Sequence, residues 1–167
     1  MKTVGQHLKT TKEIGETLNQ KQKPVFRSSA IFPVLHTACF SSKVLFLGYW
    51  LIKRNLKEIG LLITLRSQKG AVLLRRNIII DCVKAFSIDL RNLLQDIYDT
   101  AHIPTSFYGS IELEVFSTRD MVFPYPAFVI TYFNDEFSTS VHTTGRIYND
   151  IEDLQSHDDI KVAESGF

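Results

Sequence analysis

Apolar side chains recur at every second position through most of this chain, a period that suits half-buried β-strands and little else. In IGLLITLRS, Ile59, Leu61, Ile63 and Leu65 fall on one face, with Thr64 and Arg66 on the other. KAFSIDL sets Phe86, Ile88 and Leu90 against Ser87 and Asp89, and SIELEVF sets Ile111, Leu113 and Val115 against Glu112 and Glu114. AVLLRRNIII follows RSQKG, where Gly70 closes a hairpin turn. AFVITYF and FSTSVHTTGRIY are joined by a second turn at Asn134 to Glu136. VFRSSAIFPVLHTACF and KVLFLGYWLIKR supply two more strands, which makes about eight at sandwich-like spacing.

One stretch breaks the pattern. RNLLQDIYDTAHIP carries Leu93, Leu94, Ile97 and Ala101 at helical spacing, and predicts a short helix or helical crossing near 91–101 that ends before Pro104. So little helix between alternating strands does not suit a parallel sheet covered by helices. The expected fold is all-β, an antiparallel β-sandwich of jelly-roll or immunoglobulin-like topology. The Cys…Trp…Cys framework of antibody domains is absent.

Composition sets the outer bounds. With 44% hydrophobic and 22% charged residues, the 167-residue chain has the makeup of one globular domain with a real core. Residues 1–23 read as a polar leader, 24–153 as the sandwich domain and 154–167 as a polar tail. The leader has no apolar run of signal-peptide length, and VLFLGYWLI is too short to span a bilayer. Cys39 and Cys82 sit in apolar surroundings and are expected to be buried thiols in a cytoplasmic protein. Nineteen Lys and Arg against eighteen Asp and Glu leave a net charge of +1, which gives no general grip on nucleic acid or anionic lipid. LLRRN and LIKRN are isolated basic points rather than a patch, so no nucleic-acid partner is expected.

Familiar catalytic signatures are missing: there is no GxGxxG, GxxxxGK[ST], GxSxG, HExxH or CxxC. The acidic clusters YNDIED and SHDDI lack the order of an EF-hand loop and read as solvated tail. What remains is a set of polar residues at strand ends. Arg119-Asp120 precedes FPYP, whose prolines cannot donate to a ladder, so 117–126 is expected to be a rigid corner between two strands. There Arg119 can present paired donors to an oxyanion, while Asp120 can instead shape the turn through the backbone, the favoured role. Tyr125 is the aromatic this corner would present outward. His142 and Arg146 are four residues apart, and on one strand they share a face.

Two function classes follow. The first is a non-catalytic β-sandwich module that binds a protein partner or a glycan, alone or within a larger assembly. Its surface would be the end of the sandwich built from 117–126 and 142–150, with Arg119, Asp120, Tyr125, His142 and Arg146 as ligand-binding candidates. The phenylalanine-rich aromatics, with Trp50 inside an apolar strand, favour packing over a wet stacking platform. The competing class is a small enzyme with a metal or acid-base site made from His36, Asp120, His142 and Arg146. If His36, Asp120 and His142 converged, they could hold a divalent metal with open positions. No metal or other cofactor is favoured, because no local ligand spacing supports one.

Overall fold

The computed structural model describes residues 25–98, 103–121, 128–142 and 146–148. Nine strands and two short helices follow one another in these segments: β1 (Arg27–His36), β2 (Ser41–Leu47), α1 (Tyr49–Arg54), β3 (Ile59–Ser67), β4 (Val72–Ile80), β5 (Ala85–Asp89), α2 (Leu90–Ile97), β6 (Phe107–Phe116), β7 (Val129–Phe133), β8 (Ser138–His142) and β9 (Arg146–Tyr148). A five-stranded sheet runs β4-β3-β6-β1-β9, and a four-stranded sheet runs β5-β2-β7-β8. Every pairing is antiparallel. The expected antiparallel sandwich is the fold, with one more short strand than its period suggested. The leader, the C-terminal tail and the FPYP segment lie outside the described residues.

Pairing order distinguishes the two candidate topologies. β1 pairs with β6, β2 with β5 and β3 with β4, so the first six strands form one long hairpin rolled across two sheets. That is jelly-roll logic, whereas immunoglobulin sheets place consecutive strands such as A and B side by side. The chain changes sheet at both sides of the sandwich. Residues 81–84 link edge strand β4 to edge strand β5, and 143–145 link β8 to β9. Arg27 at the start of β1 lies opposite Tyr148 at the end of β9.

The two-residue period explains the core. Ile59, Leu61, Ile63 and Leu65 of β3 and Ile111, Leu113 and Val115 of β6 are all at most 2% exposed. They meet Val44 and Phe46 of β2 and Ile130 of β7 from the other sheet. Removing each such side chain from water contributes about 1.5–3 kcal/mol. Phe46 stacks on Phe86 at 4.9 Å and meets Phe128 edge-on at 5.0 Å, which closes the layer beneath β5.

Two features depart from the period. KVLFLGYWLIKR is not one strand: β2 stops at Leu47, and YWLIKR forms α1, with left-handed Asn55 (φ 51°) ending it. Trp50 is buried as expected, but on a helix rather than in a strand. Gly48 is where the path turns, since a Cβ there would stand 2.6 Å from the Cys82 carbonyl oxygen. Thr64, on the polar face, is nonetheless buried, because the cross-strand neighbours Arg75 and Glu112 cover it. Both of its neighbours are long, and their stems shield a short side chain between them.

The helix expected near 91–101 is α2, shorter and starting one residue earlier. Asp89 caps it by accepting from the Arg91 amide at 2.8 Å, and Leu90, Leu93 and Leu94 face the core. The capping carboxylate explains why the strand period stops at Ile88: an N-cap needs extended backbone followed at once by helix.

Candidate functional site

The corner after β6 is built around the chain's return to β1. Ser117 N donates to the Phe26 carbonyl at 2.9 Å, and Met121 N donates to the Val25 carbonyl at 2.8 Å. Asp120 Oδ1 accepts from the Val25 amide at 2.7 Å, while Met121 and Val25 are buried beneath. Asp120 therefore fixes the entry of β1 through a long-range side-chain-to-backbone bond, one that reaches beyond its own turn. The Arg119 amide donates to Ser117 Oγ at 3.1 Å, and the residue lines a cavity of 220 Å³ with Lys57 and Glu58.

His142 and Arg146 do not share a strand face. β8 ends at His142, opposite Val129 in the four-stranded sheet, whereas β9 begins at Arg146, opposite Ser29 in the other sheet. The even spacing applied only to an unbroken strand, and the chain changes sheet between them. Topology nonetheless returns both to one end of the sandwich. β6 leaves there at Phe116, β7 enters at Val129, β8 leaves at His142, and the three-residue β9 that begins at Arg146 finishes there opposite Arg27. Tyr125 and the linking residues 143–145 lie outside the described residues.

His36 is elsewhere. It ends β1 opposite Phe107, nine strand steps from Arg27, which is about 30 Å along the extended chain. Asp120 holds the other end of that same strand, so the ligand set His36, Asp120 and His142 is not assembled. Among the described residues, no group of three or more His, Cys, Asp and Glu side chains could hold a metal ion. His36 is nearly buried, and its Nδ1 lies 3.3 Å from Ser41 Oγ. Burial lowers its pKa from the ordinary value, Arg91 lowers it further, and Asp89 opposes both. A neutral imidazole held by a serine hydroxyl is what a strand end under a helix produces.

The cysteines also differ from expectation. Both thiols are free, but Cys39 is exposed and Cys82 only partly covered. Cys39 occupies the tight β1–β2 turn, where Thr37 Oγ1 accepts from the amides of Cys39 and Phe40 at 3.2 and 3.0 Å. Four residues are too few to fold a side chain back under a sheet.

Sequence patterning did not signal two surface features. One lies on the outward face of the four-stranded sheet, where Leu45 (36% exposed) stands between Ser87 and Val129, and Val129 stands beside His142. One turn on, Leu47 is 59% exposed opposite Ala85, and Val83 in the adjoining turn is 57% exposed. These apolar groups lie at the same end of the sandwich as the corner. The other is an ion-pair stripe on the outer face of the five-stranded sheet. Arg27 donates to Glu114 through Nε (3.2 Å) and Nη2, Arg75 stands 3.9 Å from its other oxygen, and Arg66 pairs with Glu112 at 2.9 Å. The alternating faces of SIELEVF located both glutamates, but their arginine partners come from three other strands.

No helix among the described residues is long and apolar enough to cross a membrane. No family model matches the chain, and no curated protein matches it. Among solved structures, the chain is similar to Thermotoga maritima 1070 at 14% sequence identity, over 74% of this chain and 95% of that one, with a TM-score of 0.37.

Proposed function

We propose that this protein is a non-catalytic β-sandwich module that binds a protein partner through the outward face of its four-stranded sheet, at the end shared with the 117–121 corner. The observation that carries this is the exposure of Leu45 and Leu47 on β2 and of Val83 in the link from β4 to β5, at the end of the sheet that also carries Val129 and His142. A contiguous apolar patch is costly to leave in water and marks an interaction surface on many soluble domains. Its polar rim, His142 on one side and Ser87 on the other, has the composition of an interface margin. Of the two partner classes, a protein suits this surface better than a glycan, because the patch is aliphatic and offers no aromatic face for a sugar ring.

The test is comparative affinity capture with quantitative mass spectrometry. Wild-type protein and the Leu45→Asp/Leu47→Asp double variant are used as baits, and the captured protein is then reconstituted in purified form. The expected result is a partner that binds the wild type directly and loses at least about tenfold in affinity with the variant. A partner that binds both equally would remove this surface from the proposal.

A further inference from the structure

At the opposite end of the sandwich, the β3–β4 turn, the start of β6, the last residues of β1 before its turn and Tyr132 of β7 line a cavity of 450 Å³. We infer that it is a binding site for a neutral carbohydrate of one or two sugar units, with Tyr108 as its stacking platform.

Four observations carry this. The first is chemical: among the described residues that line the cavity, including Tyr108, Tyr132, Leu35, Ser67, Gln68 and Ser110, none carries a charged side chain. Arg66, which precedes the lining residue Ser67, is tied to Glu112 at 2.9 Å. A ligand with an apolar face and hydroxyl edges therefore finds rings, hydroxyls and an amide among these lining residues, with Lys69 of the β3–β4 turn outside the lining. The second is exposure. Tyr108 stands on the outer face of its sheet and is 52% exposed, a large aromatic ring left open on the wall of a concavity. Aromatic faces pack well against the C–H face of a pyranose.

The third is rigidity. Tyr132 Oη donates to the Pro33 carbonyl at 2.8 Å, which pins a ring from one sheet to a strand of the other. Burial also raises the Tyr132 pKa, so the phenol keeps the proton it donates. Pro33 can sit in β1 here because, among the described residues, β9 pairs only with Arg27, Ser28 and Ser29 and no strand ladder asks for a donor at position 33 on that side. On the floor, Gly109 approaches the Arg66 carbonyl so closely that a Cβ would overlap it. The β3–β4 turn is closed by Gly70 N to the Ser67 carbonyl at 2.9 Å, with Gly70 at φ 83°. Such preorganisation limits the ordering cost of binding. The fourth is size, since small-molecule sites commonly occupy about 300–1,000 Å³.

This site is independent of the protein-binding face, and the experiment separates the two. Backbone amide NMR of the full chain is followed during titration with maltose, cellobiose and N,N′-diacetylchitobiose, with glucose 6-phosphate as the charged comparison. The expected result is saturable shifts at Gln68, Gly70, Gly109 and Ser110 with at least one disaccharide. Tyr108→Ala, at an exposed position, should weaken that binding about tenfold or more while the rest of the spectrum stays in place. Leu47→Asp should leave it unchanged. The inference is overturned if none of the three disaccharides shifts these amides, if Tyr108→Ala binds as well as the wild type, or if glucose 6-phosphate binds more tightly than the neutral sugars. A polyproline peptide that shifts the same amides when the sugars do not would also overturn it, since tyrosine-lined grooves can take that ligand.

Discussion

Phe116 of β6 lies directly across from Gly60 of β3, and its ring fills the space that a side chain at position 60 would need. A glycine inside a strand is a weak point, and a cross-strand aromatic laid over it restores lost packing and shields the backbone. Gly60→Ala should therefore destabilise the fold by about 1–2 kcal/mol by displacing the ring. In a Phe116→Ala background the same change should cost little, because the clash has gone. A double-mutant cycle by urea denaturation measures the coupling, and additive effects would show that the ring does not rest on the glycine.

Asp120 is a structural carboxylate. Asp120→Ala removes the acceptor for the Val25 amide and should cost about 2 kcal/mol in unfolding free energy. Asp120→Asn keeps an acceptor oxygen and should recover most of it. Partner binding by the folded fraction should be unaltered in both, as read by titration calorimetry. Loss of binding without loss of stability would return Asp120 to the list of ligand-binding residues.

His36 makes stability depend on pH in one direction. Its folded-state pKa lies below the ordinary 6.5, so the unfolded chain binds the proton more readily. Its contribution is complete above about pH 6.5, then is lost as pH falls through 6.5 towards the folded-state value. His36→Gln should flatten that part of a stability-against-pH curve measured by chemical denaturation. An unchanged slope would assign the pH dependence to other groups.

Thiol reactivity should split in two. Cys39 is exposed and Cys82 partly covered, so a disulfide reagent should react in a fast and a slow phase in native protein. Cys39→Ser should abolish the fast phase alone, and a single phase in the wild type would contradict the exposure difference.

The period of two made the sheets legible, because a residue such as Leu61 or Leu113 is buried by its parity alone. It could not show where a strand stops being one. KVLFLGYWLIKR shows no polar break between Val44 and Ile52, and only the closeness of Gly48 to the Cys82 carbonyl, from a distant segment, explains the turn into α1. FSTSVHTTGRIY hides a change of sheet for the same reason: the alternation of a strand and that of its successor look alike when three residues separate them. That Asp120 would accept from a backbone amide was the favoured reading of its place at a turn; that the amide would be that of Val25, 95 residues away, was not legible. The apolar face and the tyrosine cavity were not, because each joins strands that are far apart in sequence. Leu45 stands opposite Val129, and Tyr108 and Tyr132 line one cavity, only after the strands have rolled up.

Because Arg27 and Tyr148 are antiparallel neighbours at one end of a sheet, tension applied between those two positions would not load the sandwich in shear. It would peel β9 from β1 one hydrogen bond at a time, starting at the pulled end. Three residue pairs hold β9 to β1 against the ten that hold β1 to β6, so β9 is the side that parts first. As a link in a stretched assembly, the domain would act as a compliant element, extending at its last strand while the rolled core stayed intact.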